Sequence, residues 1–374
     1  MRVTCKRACC CCTAICLVIT VMLLSSQEQQ QQQSETLNED DAPIINPDEL
    51  EPFEPSVNED FPTNEDRKEP LIPHVFHQTH STEYVPHINI KSVKSLIQFN
   101  PTWDYFFWTN ENARDLIARR HPQLIDVFDN FINPIERSDL LRYVVLYEIG
   151  GVYLDTDVEV IRPLNRVTYK YTCIIPSEPF EHSSILYKRD IVINNAIIFC
   201  RSRHPFLKQL LQNIGNSTTG LTAIDRTGPV FVTEQYFIFM HTLVPRKSNT
   251  SLTYIDGNEP FVVRRNCIAD NCVYIPNTIY FNHQYDKPQS LLVENCKLKN
   301  KPPLVKRGCL ILAARKTEVT SQFEFTRHHW VHTWSHVEND TWLVRLFKFL
   351  SKLRYGSHTG GIHIRDIVKN VKIS

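Results

Sequence analysis

The segment Asp155-Thr156-Asp157 places two carboxylates one residue apart, between the strand-like residues 152–154 and 158–161. Alternate residues of an extended chain share a face, so the two acids can point the same way. Hard oxygen ligands in such a pair suit Mg²⁺ or Mn²⁺, and a divalent cation held there can neutralise a diphosphate. That route matters because no stretch matches GxGxxG, GxxxxGK[ST] or GxSxG, so a glycine loop for phosphate and a nucleophile elbow are both absent. A second cluster lies toward the C-terminus, where His328, His332 and His336 recur at a spacing of four. On a helix they would share one face and could bind zinc, although no HExxH accompanies them.

The elements that must position the acids follow from periodicity. Residues 73–78 (PHVFHQ) and 103–108 (WDYFFW), rich in aromatic and β-branched side chains, predict short strands, and residues 111–120 predict a helix. Residues 135–149 predict a helix with Leu140, Leu141, Val144, Val145 and Tyr147 turned inward, stopped by Gly150 and Gly151. Helix, glycine stop, strand, then acids at the strand end is an α/β arrangement, in which ligands sit at the carboxyl ends of the strands.

Composition sets the context. The 374 residues carry 41 basic and 41 acidic side chains, with 42% hydrophobic and 10% aromatic residues. These are globular values and exclude collagen, coiled coil and a wholly disordered chain. The net charge of zero hides three unlike parts: +3 over residues 1–24, −12 over 25–69 and +9 over 70–374. The last part would attract an anionic ligand.

Residues 8–24 are uncharged and follow Arg2, Lys6 and Arg7, which predicts a membrane anchor with its N-terminus in the cytoplasm; a cleaved signal peptide is the rival reading. The Gln-rich, acidic residues 25–70 predict a disordered stem. A luminal remainder argues against a nucleic-acid partner and permits disulfides among Cys173, Cys200, Cys267, Cys272, Cys296 and Cys309. Cys267 with Cys272, and Cys296 with Cys309, are close enough to close small loops, and Asn216, Asn249 and Asn339 begin glycosylation sequons. Residues 342–354 predict an amphipathic helix that packs on the domain or rests on a membrane.

Taken together, Ser138-Asp139-Leu140-Leu141-Arg142-Tyr143 and Gly150-Gly151-Val152-Tyr153-Leu154-Asp155-Thr156-Asp157 resemble the core of glycosyltransferase family 32. This DXD-motif group includes fungal initiating mannosyltransferases, inositol-phosphoceramide mannosyltransferases and, more distantly, animal α1,4-galactosyltransferases. The resemblance extends to Ile72-Pro73-His74-Val75-Phe76-His77-Gln78-Thr79, to Asn194-Asn195, to Thr227-Gly228-Pro229 and to the closing His328-His329-Trp330. It implies a GT-A fold, a Rossmann-like sheet that binds a nucleotide-diphosphate sugar with Mn²⁺ or Mg²⁺. It further implies that Asp157 ligates the metal directly, that Asp155 contacts sugar hydroxyls and the metal shell, and that His329 or His332 completes the metal site. Asp139 and Arg142, one helical turn apart, would hold the donor sugar and phosphate, with Tyr153, Asn194 and Asn195 beside them. His77, Gln78 and Trp108 would form the base pocket, Trp108 being equally suited to core packing.

The organisation expected is a cytoplasmic tail 1–7, a signal-anchor 8–24, a stem 25–70, a catalytic domain 71–340 and a C-terminal helix and tail 341–374. The function expected is that of a single-pass type II Golgi membrane enzyme. It would move a hexosyl unit from a UDP- or GDP-sugar to a glycan or sphingolipid hydroxyl, retaining the anomeric configuration. A catalytically silent carbohydrate-binding protein of the same fold and a zinc hydrolase are the alternatives.

Overall fold

Two runs of aromatic and β-branched residues, Val75–Thr79 (β1) and Asp104–Trp108 (β2), pair in parallel with Phe76 opposite Tyr105 and Thr79 opposite Trp108. Such side chains fill a pleated surface well, which is why these short segments hold as strands. The computed structural model describes residues 51–52, 55–63, 69–215, 222–243, 252–256, 259–263, 271–285, 290–315, 321–331 and 361–373. The strands that build the site are β1, β2, Gly151–Leu154 (β3), Val158–Val160 (β4), Cys173–Ile174 (β5), Ile197–Cys200 (β6), Thr326–His328 (β7) and Lys372–Ile373 (β8). The helices are Ile90–Phe99 (α1), Asn110–Arg120 (α2), Pro134–Glu148 (α3), Pro205–Asn213 (α4), Pro229–Leu243 (α5), Ser290–Lys297 (α6) and Pro303–Ala314 (α7).

The central sheet has the order β8-β2-β1-β3-β6-β5, parallel from β8 to β3 and antiparallel from β3 to β5. The fold is therefore mixed α/β with a mixed sheet. One face packs on α3, α4 and α5 through Leu140, Tyr143, Val144, Leu207 and Val232, and the other buries Phe76, Phe107, Val152, Leu154 and Phe199. A sheet covered on both faces reads as near-continuous hydrophobic runs, as β3 and β6 do. Cys173 and Cys200 lie directly opposite each other on β5 and β6 and are disulfide-bonded, as are Cys296 and Cys309. Cys272 is also disulfide-bonded, while Cys267 lies outside the described residues.

Helix α3 starts on a capping box, in which the Asn133 side chain and Glu136 satisfy each other's backbone N–H groups, with Pro134 at the first position. It ends where the Gly150 N–H bonds Leu146 O. Gly150 and Gly151 then take φ of 77° and 112°, which lets the chain turn straight into β3. A Cβ on Gly151 would overlap the carbonyl oxygen of Val75 on the neighbouring strand.

Three expectations change. Part of the predicted stem folds onto the domain: Ser56 caps the turn Val57–Asp60, and Phe61 is fully buried among Tyr171, Tyr274, Tyr280, Phe281 and Phe325. Burying one phenylalanine is worth about 2 kcal/mol, enough to recruit a short acidic segment. Residues 361–373 also belong to the domain rather than to a trailing tail, since β8 extends the sheet and Gly361–His363 pairs with Tyr84–Pro86. Finally, Asp155 and Asp157 sit in a turn between β3 and β4 rather than on an extended strand, closed by the Val158 N–H bonding Asp155 O at 3.0 Å. Among the described residues no helix is long and apolar enough to cross a membrane. The predicted anchor 8–24, the 342–354 helix, Asn216, Asn249 and Asn339 lie outside the described residues.

Candidate active site

A cavity of about 440 Å³ opens over the Asp155–Asp157 turn, and Asp139, Arg142, Tyr153, Asp155, Asp157 and His328 all line it. Three elements converge there because of how they pack. Helix α3 brings Asp139 and Arg142 to its cavity-facing side, β3 ends at the turn, and β7 runs antiparallel to β4 with His328 opposite Val158. That register sets His328 beside Asp157, the residue just before β4. The His328 Nε2 lies 3.5 Å from Asp157 Oδ2.

Arg142 is buried and almost fully committed. Its Nη1 donates to Asn195 O at 2.7 Å and lies 3.3 Å from Asp155 Oδ1; Nη2 lies 3.1 Å from Asp139 Oδ1, and Nε donates to Ser138 O. The guanidinium stands 4.5 Å over the ring of Tyr153, whose hydroxyl donates to Asp155 Oδ1 at 2.8 Å. Asp139 accepts from Asn195 Nδ2 at 2.8 Å and from the Thr227 hydroxyl at 2.7 Å. Burial raises the carboxyl pKa of Asp139 and of Asp155 against the opposing pull of Arg142. Burial alone would also raise Asp157, but the charge and hydrogen bond of His328 and the Val331 N–H at 2.9 Å override it and hold Asp157 well below the usual range. The same pairing raises His328 above its ordinary value although burial pulls it down.

Asp155, Asp157 and His328 each offer a ligand atom, and these atoms lie within 4.8 Å of one another. The Nδ1 of His328 is buried with no hydrogen-bond partner. Two carboxylates and an imidazole form a mixed oxygen and nitrogen set that fits Mn²⁺, while Mg²⁺ prefers oxygen alone. The residues present therefore fit a divalent cation. A second grouping, Cys173, Cys200 and His204, is occupied as a disulfide and offers no thiolates.

Several expected site residues are placed differently. His329 turns its ring to Glu159, 2.9 Å away, and only its backbone N–H reaches Asp157 O. Its neighbour His328, the last residue of β7, stands beside the acids instead. His328 ends a strand, so the helical face shared with His332 and His336 does not form at this residue; the other two lie outside the described residues. His77, Gln78 and Trp108 are buried and do not line the cavity. His77 Nε2 bonds Gly150 O at 2.9 Å and its Nδ1 accepts from the Trp108 indole at 3.2 Å, so the pair is satisfied core. Gln78 lies beneath the site, accepting from the Tyr105 hydroxyl and donating to Asp155 O at 3.2 Å. Asn194 and Asn195 line the cavity; Asn194 Oδ1 accepts from the Ala196 N–H, closing the turn that presents both.

Three cavity residues take roles in the site that the sequence reading does not give them: Glu178, which it leaves unmentioned, and Trp330 and His328, which enter it only through the closing motif and the histidine spacing. Glu178 is a buried carboxylate 3.2 Å from His182 Nδ1. Trp330 stacks on His328 at 3.9 Å, meets the His182 ring edge-on at 4.6 Å and donates to Gln284 O. Its φ of 52° is strained for a side chain of this size and is held by those three contacts. For His328, period-two alternation over Thr326-Arg327-His328 is the available signal, and the four-residue histidine spacing masks it.

The model of the glycosyltransferase sugar-binding region containing the DXD motif matches residues 86–174. Over 166 residues the chain is 32% identical to inositol phosphoceramide mannosyltransferase 3 of Schizosaccharomyces pombe, covering 43% of this chain and 44% of that protein. Over 205 residues it is 26% identical to mannosyl phosphorylinositol ceramide synthase SUR1 of Saccharomyces cerevisiae, covering 54% and 50%. The chain thus spans about half the length of the curated relatives it matches. Among solved structures, the PaToxG glycosyltransferase matches at 17% identity and a TM-score of 0.37, covering 47% of this chain and 71% of that one. An active-site mutant of LgtC matches at 11% identity and a TM-score of 0.35, covering 75% and 95%. Residues 86–174, which contain α3, Arg142 and both acids of the turn, match the DXD-containing sugar-binding region of glycosyltransferases, and about half of the chain is similar to fungal inositol phosphoceramide mannosyltransferases.

Proposed function

We propose that this chain is a metal-dependent hexosyltransferase of GT-A type, acting in the Golgi lumen from a membrane anchor and retaining the anomeric configuration of the donor. The observation that carries the reading is the convergence of Asp155, Asp157 and His328 in one cavity beside the buried Arg142. The donor is a UDP- or GDP-linked sugar, with mannose first because the relatives are named mannosyltransferases. The acceptor is a glycan or sphingolipid hydroxyl, and the relatives' names favour an inositol phosphoceramide. Two disulfides support a luminal, oxidising compartment.

Asp155, Asp157 and His328 would hold Mn²⁺, or Mg²⁺ with less help from the imidazole. When bound, the cation supplies Lewis-acid stabilisation of the charge that grows on the departing diphosphate. Arg142, fixed by Asp139 and Asn195, keeps Asp155 in place and adds positive potential from a buried position, where a fixed charge acts strongly. Asn195 ties the donor-side wall to α3. Glu178 is engaged by His182, so a front-face route, in which the acceptor hydroxyl passes its proton to the leaving oxygen as the new glycosidic bond forms, needs no carboxylate nucleophile.

Calorimetric titration of the protein with UDP- and GDP-sugars, with Mn²⁺ and after chelation, tests this reading. Binding of one nucleotide sugar that depends on Mn²⁺, followed by transfer to a phosphoinositol-containing sphingolipid, is expected. Failure of every nucleotide sugar to bind would remove the reading.

A further inference from the structure

Nine large hydrophobic side chains are exposed among the described residues, and four of them, Leu291, Val293, Leu298 and Leu310, fall within one helical hairpin. The hairpin is α6 and α7, clamped by the Cys296–Cys309 disulfide. Its tip reads Lys297-Leu298-Lys299-Asn300-Lys301, with Leu298 56% exposed between exposed lysines. On α7, Val305, Gly308 and Ile311 face inward, while Lys306 and Leu310, the latter 72% exposed, share the outer side. From residue 290 to 315 the sequence has one acid, Glu294, against six bases. Single exposed apolar residues are ordinary, but a group of them ringed by cations and held in one shape is an interaction surface.

We propose that this disulfide-locked hairpin docks on an anionic lipid surface, with Leu298 and Leu310 entering the headgroup boundary and the lysines meeting lipid phosphates. The charge selects the occupant: the exposed Lys297, Lys299 and Lys306 stand beside the exposed leucines and complement an anionic bilayer, the pattern by which interfacial helices bind. Rigidity serves the same end. Lys301 Nζ caps the end of α6 by bonding Cys296 O at 2.8 Å, so the tip is ordered before contact and little freedom is lost on docking.

The hairpin is braced on the wall of the active-site cavity. A Cβ at Gly308 would overlap the Ser184 hydroxyl, so α7 packs tightly against the turn His182–Leu186. Arg307 stands 5.6 Å over the Phe180 ring, and Arg315 pairs with Glu181. Glu178 and Tyr187, at either end of that segment, line the cavity. A docked hairpin therefore holds the cavity wall at the bilayer, where a lipid-borne hydroxyl would be presented. The docking itself requires no turnover and is measured without donor or acceptor, so its failure is separate from failure of the catalytic reading.

The test is amide hydrogen exchange of the full chain on vesicles of equal phosphatidylcholine and phosphatidylserine, on pure phosphatidylcholine vesicles, and in detergent. This readout is local, so it is unaffected by any other segment that tethers the chain. Peptides covering residues 291–310 are expected to exchange at least about fivefold more slowly on the anionic vesicles at low salt, and to return to the detergent rate at high salt. Lys297→Glu/Lys299→Glu and, separately, Leu298→Ser/Leu310→Ser should each abolish the slowing while peptides of β3 and β6 stay protected, which shows the fold is kept. Equal exchange on both vesicles and in detergent, slowing that survives both double variants, or slowing that needs only a higher protein concentration without lipid would each overturn the proposal. The last outcome would assign the face to a second copy of the chain.

Discussion

Arg142 on α3 and Asp155 in the turn after β3 stand 3.3 Å apart, and the same guanidinium reaches Asp139 at 3.1 Å. One buried cation thus couples a helix to the acidic turn and opposes the burial that raises the pKa of both carboxyl groups. The geometry depends on a planar fork with several N–H groups, which an ammonium cannot reproduce. Arg142→Lys is therefore expected to lower kcat/KM by about 100-fold, roughly 2.7 kcal/mol, with the folded state retained. Transfer kinetics alongside a thermal melt check this, and near-normal turnover would show that charge alone suffices.

Asp157 is the acid most strongly held in its charged form, through His328 and the Val331 N–H. Asp157→Asn keeps the shape and removes the ligand charge. Mn²⁺-dependent donor binding is expected to disappear and turnover to fall at least about 1000-fold, roughly 4 kcal/mol. His328→Ala should weaken Mn²⁺ more than it weakens Mg²⁺, because imidazole suits the former. His329→Ala should leave Mn²⁺ affinity within about twofold, a difference of roughly 0.4 kcal/mol. Manganese titrations on the three variants separate the roles, and equal losses at His328 and His329 would count against the ligand set.

How much of this was legible in the sequence depended on the range of the interaction concerned. The capped helix α3, the glycine exit and the strands on either side are local patterns, so Asp139, Arg142, Asp155 and Asp157 were readable as one cluster. Which histidine joins them depends on the pairing of β7 with β4, more than 160 residues apart in sequence. The spacing of His328, His332 and His336 suggested a helix starting at His328, which instead ends a strand. His77 and Trp108 likewise read as ligand groups at strand ends, because the hydrogen bond that satisfies each through the other joins two different strands. Phe61 was hidden for a related reason: its surroundings are acidic and polar, and its five aromatic neighbours come from distant segments.

Gly151 tests the link between α3 and the site. Its φ of 112° and the overlap of any Cβ with Val75 O mean that Gly151→Ala both strains the backbone and pushes β3 away from β1. A loss of about 2–3 kcal/mol in unfolding free energy is expected. Urea unfolding monitored by circular dichroism measures it. A change under about 0.5 kcal/mol, the range of ordinary surface substitutions, would mean the sheet shifts at no cost.

The buried His77 supplies a pH dependence distinct from catalysis. Burial lowers its pKa from 6.5 to about 4, against the weaker opposing effect of its bond to Gly150 O. Between these values the unfolded chain binds a proton that the folded chain does not, so stability rises with pH across the window. The contribution is fully present above 6.5 and is lost as pH falls toward 4. The gap between 6.5 and about 4 corresponds to about 3 kcal/mol. His204, lowered to about 3, and His283, lowered to about 4, act with the same sign. The protein should therefore lose stability progressively below pH 6.5, well before its surface carboxylates protonate. In His77→Gln, whose amide can still donate to Gly150 O, the absolute stability should be lower at pH 7 but the slope between pH 6.5 and 4 should be shallower by about one proton. Urea midpoints across that range measure the slope, and an unchanged slope in His77→Gln would show that His77 does not titrate on unfolding.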